Sequence, residues 1–211
     1  MCIICVSPKG VRQPSKTQIR TMFYRNPHGA GYMVARRGAV EIHKGFMNVG
    51  ELLRQLDLEK FTEDDVVVYH FRISTQAGNT PFMTHPFQLT SHIDLCEKLD
   101  LTCPCAVAHN GIIRMTSTGD PNYSDTALFI TQYMTRIVHT QKDLKDPIIL
   151  NMLDALTNSR LAILDKSGYI ATVGQFIDDN GLLFSNSSYK NFTEQFVNYS
   201  WFSDKKLQGV V

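Results

Sequence analysis

The chain has 211 residues, 43% hydrophobic and 19% charged, the balance of a soluble globular protein with enough apolar material for a full core. Lysine and arginine total 21 against 20 aspartate and glutamate, a formal net charge of +1, so composition gives no support to binding of nucleic acid or of an anionic membrane. No apolar run approaches the ~20 residues of a membrane span, and no basic segment leading into an apolar one marks a secretory leader.

The chain opens Met1-Cys2-Ile3-Ile4-Cys5-Val6. A cysteine after the initiator is small enough for Met1 to be removed, which would leave a free α-amine and a thiol on Cys2. These groups titrate near ~8 and ~8.5, so together they form a nucleophile and a base close to neutral pH. The apolar run from Ile3 reads as a buried strand that would hold the nucleophile rigidly. The plain alternative is an ordinary exposed cysteine beside the start. Five cysteines without a secretion signal imply free thiols in a reducing compartment, so a cytoplasmic protein is expected. Cys103-Pro104-Cys105, with Cys96, has too short a spacing for a zinc pair and reads as small buried residues. The basic doublets Arg36-Arg37 and Lys205-Lys206 are isolated and read as solvated surface.

Ser15 to Gln18 has capping-box spacing and predicts a helix with Ile19, Met22 and Phe23 on one face, ending at Asn26-Pro27. Two glycines in Asn26-Pro27-His28-Gly29-Ala30-Gly31-Tyr32 mark a turn where positive φ or close backbone approach is needed. Gly31 to Val34 and Val40 to Phe46 predict a hairpin through Arg37-Gly38. Asn48 and Glu51 precede an amphipathic helix with Leu52, Leu53, Leu56 and Leu58. Val66 to Tyr69 reads as an interior strand and runs into a polar cluster from His70 to Asn79. Thr84-His85-Pro86-Phe87 sits in a loop, and Pro104 to Ala108 predicts a strand that reaches His109-Asn110-Gly111.

Asn110-Gly111 between apolar runs is a hairpin signal that needs no chemistry. Ser124-Asp125 caps a predicted long helix carrying Leu128, Ile130, Met134, Ile137 and Val138. A second helix starts near Pro147 and is expected to bury Ile148, Ile149, Met152 and Leu153. Arg160 to Leu164, Tyr169 to Val173 and Leu182 to Ser185 read as strands, the last two joined through Asn180-Gly181. The segment from Phe192, with Trp201, reads as a covering tail. Strands in hairpins and helices in pairs argue for a single antiparallel α+β domain over residues 1–211.

The order of elements is a terminal cysteine, a glycine-rich turn, His70-Phe71-Arg72 with Thr75, Thr84-His85-Pro86-Phe87, His109-Asn110-Gly111 and Ser124-Asp125-Thr126. That order resembles the class II glutamine amidotransferases, which are N-terminal-nucleophile (Ntn) hydrolases. The likeness runs from Cys2 to about Thr126, with fainter echoes at Ser159 to Asp165 and in Phe184-Ser185-Asn186-Ser187. It implies a four-layer αββα sandwich of two antiparallel sheets. It also implies that Cys2 attacks the side-chain amide of L-glutamine while its α-amine relays the proton. By the same resemblance Asn110 and the Gly111 N–H hold the oxyanion, Arg72 forks onto the α-carboxylate, and Asp125 pairs with the α-ammonium. Thr75 and Gln76 line the glutamine pocket.

For Asp125 the helix N-cap role remains open beside the binding role. His70, His85 and His109 read as hydrogen-bonded structural residues rather than bases. Many members carry Trp-Ala-Thr-His where this chain has Ile73-Ser74-Thr75-Gln76. A glutamine at that place occurs in the shorter, stand-alone branch. Class II enzymes are usually fused to a synthase that consumes the ammonia, and Val211 leaves no room for one, so a separate ammonia-accepting partner protein is expected. No metal or other cofactor is implied. Two other readings stand beside this one: an Ntn amidohydrolase of γ-glutamyl conjugates without ammonia transfer, and a non-catalytic binding module on the same fold. A papain-like cysteine–histidine enzyme fits less well, because no helix N-terminus stands behind Cys2.

Overall fold

Residues 2–74, 79–116 and 122–190 are described by the computed structural model of the chain; Met1, Thr75, Gln76 and the tail with Trp201 lie outside them. Eleven strands form two antiparallel sheets, and five α-helices accompany them among these residues, an α+β architecture. In the larger sheet β1 (Ile3–Ser7) is central, between β4 (Val67–Phe71) and β11 (Leu182–Phe184). Beyond β4 come β2 (Ala30–Arg36), β3 (Ala39–Phe46) and β6 (Asp100–Cys103), and beyond β11 comes β10 (Ile177–Asp179). The smaller sheet runs β5 (Phe87–Gln88), β7 (Cys105–Asn110), β8 (Arg160–Asp165) and β9 (Ile170–Val173).

Side chains alternate across a strand, so each sheet presents two apolar faces. One face of the larger sheet, with Ile3, Cys5, Tyr32, Tyr69 and Phe71, packs on Ile19, Met22 and Phe23 of α1 (Lys16–Arg25) and on Leu52 and Leu53 of α2 (Val49–Glu59). Its opposite face, with Ile4, Val6, Met33 and Val68, shares a core with Ala106, Ala108, Ala162 and Leu164 of the smaller sheet. The remaining face of the smaller sheet, with Val107, Leu161, Ile163 and Val173, meets α3 (Asp125–Gln132), α4 (Gln141–Lys145) and α5 (Pro147–Thr157). No helix among the described residues is long and apolar enough to cross a membrane.

Local chemistry accounts for the first elements. Ser15 Oγ accepts the Gln18 N–H and Gln18 Oε1 accepts the Ser15 N–H, the reciprocal cap anticipated for α1, an arrangement of about 1 kcal/mol. Arg37 and Gly38 both take positive φ, as a two-residue hairpin between β2 and β3 requires. Asn48 caps α2 through the Gly50 N–H at 2.6 Å.

Four expectations need correction. Leu58 is 75% exposed, because its position on α2 lies off the stripe of Leu52, Leu53 and Leu56. The long helix after Ser124 stops at Gln132 and continues only as a 3-10 turn over Met134–Arg136. There the Thr131 hydroxyl donates back to the carbonyls of Ala127 and Leu128, a local bond that competes with a regular helical ladder. In α5 only Leu153 and Thr157 are buried, whereas Ile148 and Met152 form an outward stripe. Finally, Asn180-Gly181 joins β10 to β11 rather than β9 to β11, because the short strand at Ile177–Asp179 intervenes and belongs to the other sheet.

Candidate active site

Strand alternation already gathers much of the site. Ile4 and Val6 of β1, Val68 of β4, and Ala106 and Ala108 of β7 all face the core between the sheets. Carried one step past or along each strand, that parity directs Cys2, Arg72 and Asn110 to the same inner face. The pairing Ile3–Phe71 in the β1–β4 ladder sets Cys2 beside Arg72. One cleft, about 500 Å³ of open space, is bordered by Cys2, Arg72, Ile73, Ser74, His85, His109, Gly111, Tyr123, Ser124, Asp125 and Thr126.

The half-buried Cys2 thiol rests on the Ile73 peptide: Sγ–H donates to the carbonyl at 3.6 Å and the Ile73 N–H donates to Sγ at 3.4 Å. Asn186 Nδ2 donates to the Cys2 carbonyl at 2.7 Å and fixes the residue from the other side. Burial raises the thiol pKa above its ordinary value, although the Ile73 N–H and the Arg72 charge pull the other way. At neutral pH the group is therefore a thiol, and it needs a base to become a nucleophile.

The nearby histidines are poor candidates for that base. His70 Nε2–H donates to the His109 carbonyl at 2.9 Å, and the His109 N–H donates to His85 Nδ1 at 3.2 Å. The His70 and His85 rings stack with centroids 4.2 Å apart. Burial lowers the pKa of His70 to about 3 and of His109 to about 4, and lowers that of His85 as well. All three are neutral and tie the two sheets together.

Arg72 and Asp125 supply opposite charges to the same cleft. Arg72 is buried; its Nη2 donates to Ser74 Oγ at 3.2 Å and its Nη1 to Asn79 Oδ1 at 3.4 Å. Burial lowers the guanidinium pKa, while Cys2 and Asp125 oppose that shift. The glycine-rich turn braces this loop. The Arg72 N–H donates to Gly29 O, the His28 N–H to Arg72 O, and the Ser74 N–H to His28 Nδ1. For Asp125 the helix-cap alternative is decided by geometry: Ser124 is the N-cap, its Oγ accepting the Ala127 N–H, and Asp125 is the first helical residue. Its Oδ1 accepts the Thr126 N–H of the first turn at 2.7 Å, and its Oδ2 accepts the Ile113 N–H at 2.7 Å, which ties the start of α3 to the chain after Gly111.

Asn110 is fully buried beside the cleft, and Gly111 borders it. Asn110 Nδ2 donates to Ser185 Oγ at 2.9 Å, and the same oxygen accepts the Ile4 N–H at 2.8 Å. Asn110 Oδ1 is buried and has no hydrogen-bond partner among the described residues. The hairpin expectation for Asn110-Gly111 does not hold. β7 pairs with β5 and β8, and the chain after Gly111 enters a 3-10 turn at Arg114–Thr116. Close approach explains the glycine: a Cβ at residue 111 would stand 2.7 Å from Ser159 Cβ and nearer still to its Oγ. Gly111→Ala is expected to destabilise the chain by about 1–3 kcal/mol, as overpacking does, with thermal unfolding as the readout. An unchanged melting temperature would remove the argument for this tight contact.

Thr75 and Gln76 lie outside the described residues, so the structure brings together Cys2, Arg72, Gly111 and Asp125, with Asn110 adjoining. Ser159, Ser185 and Asn186 entered the sequence reading only as faint echoes of the family pattern and His28 only as part of the glycine-rich turn; none was assigned to the site. Ser185-Asn186 follows a strand, and only the pairing of β11 with β1 reveals that it reaches Cys2. Compared with protein-family models and with curated proteins, the chain finds no match in either.

Proposed function

We propose that the chain is a cysteine amidase of the class II glutamine amidotransferase type, acting on the γ-amide of glutamine or of a γ-glutamyl compound. One observation carries the reading. The thiol of Cys2 sits at the end of an interior strand, in a cleft whose charged groups among the described residues are Arg72 and Asp125, and the buried histidines His70, His85 and His109 are too weakly basic to activate it. Removal of Met1 would give Cys2 the only base it needs, its own α-amine. The chain is then a single glutamine amidotransferase domain on the four-layer αββα fold. Two sheets sharing one core, with helices against each outer face, support that arrangement.

The glutamyl portion is a zwitterion. Arg72 takes the α-carboxylate and Asp125 the α-ammonium, which aims the side-chain amide at Sγ. As the S–C bond forms, the thiol proton passes to the Cys2 amine and then to the leaving nitrogen. In this reading the Asn110 amide turns end for end, the Ser185 hydroxyl donates to Oδ1, and Nδ2, at a position buried without substrate, opens to the oxyanion beside the Gly111 N–H when substrate enters. Such donors are worth ~3 kcal/mol each in the transition state. Water releases glutamate from the thioester. With glutamine the other product is ammonia, and a separate acceptor-modifying protein is its proposed consumer. The five free thiols support a cytoplasmic setting.

The test is intact-protein mass spectrometry before and after exposure to a glutamine-mimicking electrophile. Loss of Met1 and a single adduct on Cys2 are expected. A retained Met1, or a processed chain that takes no adduct, sinks the proposal and brings the binding-module reading forward.

A further inference from the structure

A second cleft opens on the other side of the nucleophile. Cys2, Ile73 and Gly111 border both clefts, but the second is the wider, about 1070 Å³ against about 500 Å³ with the adjoining open solvent counted in each. Its farther wall carries two guanidinium groups, Arg114 and Arg160, and an apolar strip of Ile112, Met115 and Leu156. Arg160 is the cross-strand partner of Asn110 in the β7–β8 ladder, which fixes its base beside the candidate oxyanion residue. Among the described residues its buried Nε has no hydrogen-bond partner, and neither arginine forms an ion pair with a carboxylate. Ile112, at 47% exposure, and Met115, at 37%, are apolar side chains held open to solvent.

Ammonia needs none of this. A leaving group of one nitrogen atom uses neither a wide cleft nor two cations nor an apolar wall. A larger amine uses all three, because uncompensated guanidinium groups favour an anionic ligand and an exposed apolar strip favours an apolar one.

We infer that the second cleft is the amine-side subsite, and that the substrate is a γ-glutamyl amide whose amine bears an anionic group and an apolar portion. This rests on the reading of Cys2 as the nucleophile. Sγ bonds to the γ-carbonyl carbon as the C–N bond breaks, and the amine leaves with the thiol proton. Water then forms the C–O bond, the S–C bond breaks, and the sulfur regains a proton, giving glutamate. If a second anionic amine occupies the cleft before water attacks, it takes the glutamyl group instead, and the same subsite serves acceptor and leaving group.

The experiment compares three substrates with the processed chain: γ-glutamyl-leucine, its carboxamide γ-glutamyl-leucinamide, and glutamine. Loss of one charged contact in a partly solvated cleft is worth about tenfold, so γ-glutamyl-leucine is expected to exceed its carboxamide by about that factor in kcat/KM. In Arg114→Gln and in Arg160→Gln the ratio is expected to fall toward one. Arg114 is exposed, so its variant keeps the test open if the Arg160 variant does not fold. A ratio near one in the parent chain, or a ratio preserved in both variants, overturns the subsite.

Failure of the nucleophile reading looks different: no substrate is turned over and Cys2 takes no adduct. In that event calorimetric binding of the two γ-glutamyl compounds to a Cys2→Ala chain decides the subsite. A preference for the anionic compound that both arginine variants reduce supports it, and equal binding overturns it.

Discussion

Replacing Cys2 with alanine is expected to lower kcat on glutamine or a γ-glutamyl amide by on the order of 10⁶-fold, the scale on which covalent hydrolases lose rate without their nucleophile. The fold is expected to survive, since the side chain is only half-buried and its thiol contacts are with the Ile73 peptide. A second chain sharpens the result. With Cys2 intact but its α-amine blocked by an unprocessed N-terminal extension, the nucleophile remains and the proposed base is gone. Burial holds the thiol protonated, and His70 at about 3 and His109 at about 4 cannot accept its proton at neutral pH. The blocked chain is therefore expected to lose at least a hundredfold, since general-base catalysis is worth about 10²–10⁴-fold. Steady-state turnover of both chains, with circular dichroism as the control for folding, decides it. A blocked chain that works at the parent rate would show that some other group takes the proton.

How much of this was visible in the residues depends on how local the cause is. The cap at Ser15 and the turn at Arg37-Gly38 are written within a few positions each and appear as read, while the strand read at Val66 to Tyr69 appears as Val67–Phe71, continuing through His70 and Phe71. The Asn110-Gly111 hairpin was also a local inference, and it failed because the decisive contacts are distant. Ser159 occupies the space a Cβ would need at residue 111, and Asp125 takes the Ile113 N–H. Together they lead the chain away from a returning strand. The exposed stripe of Ile148 and Met152 has a similar origin. Apolar side chains lie on two sides of α5, and the packing of the helix on β9 and α4 selects the side with Leu153 and Thr157. The second cleft was not legible at all. Arg160 opens one strand and Arg114 sits in a turn, and nothing near either in sequence pairs it with Cys2. The β7–β8 register sets Arg160 opposite Asn110, and the turn after Gly111 brings Arg114 to the border of the same cleft as Cys2.

Arg72→Ala is expected to raise KM for glutamine by about a hundredfold with a smaller change in kcat, corresponding to the ~2–5 kcal/mol lost when one partner of a buried charge pair is removed. The α-carboxylate keeps its charge throughout the reaction, so its recognition is uniform binding and belongs in KM. Arg72→Lys is expected to recover little, because an ammonium is a single point and cannot fork onto two oxygens. Arg72 also donates to Ser74 and Asn79, so loss of activity alone could reflect a loosened loop. A substrate without the carboxylate separates the two roles. With 4-aminobutyramide, which keeps the amide on a three-carbon chain, the parent and Arg72→Ala chains should have similar kcat/KM if the guanidinium reads the carboxylate. If the variant is slowed equally on both compounds, Arg72 holds the loop that seats the Cys2 thiol, and the α-carboxylate must be bound elsewhere in the cleft.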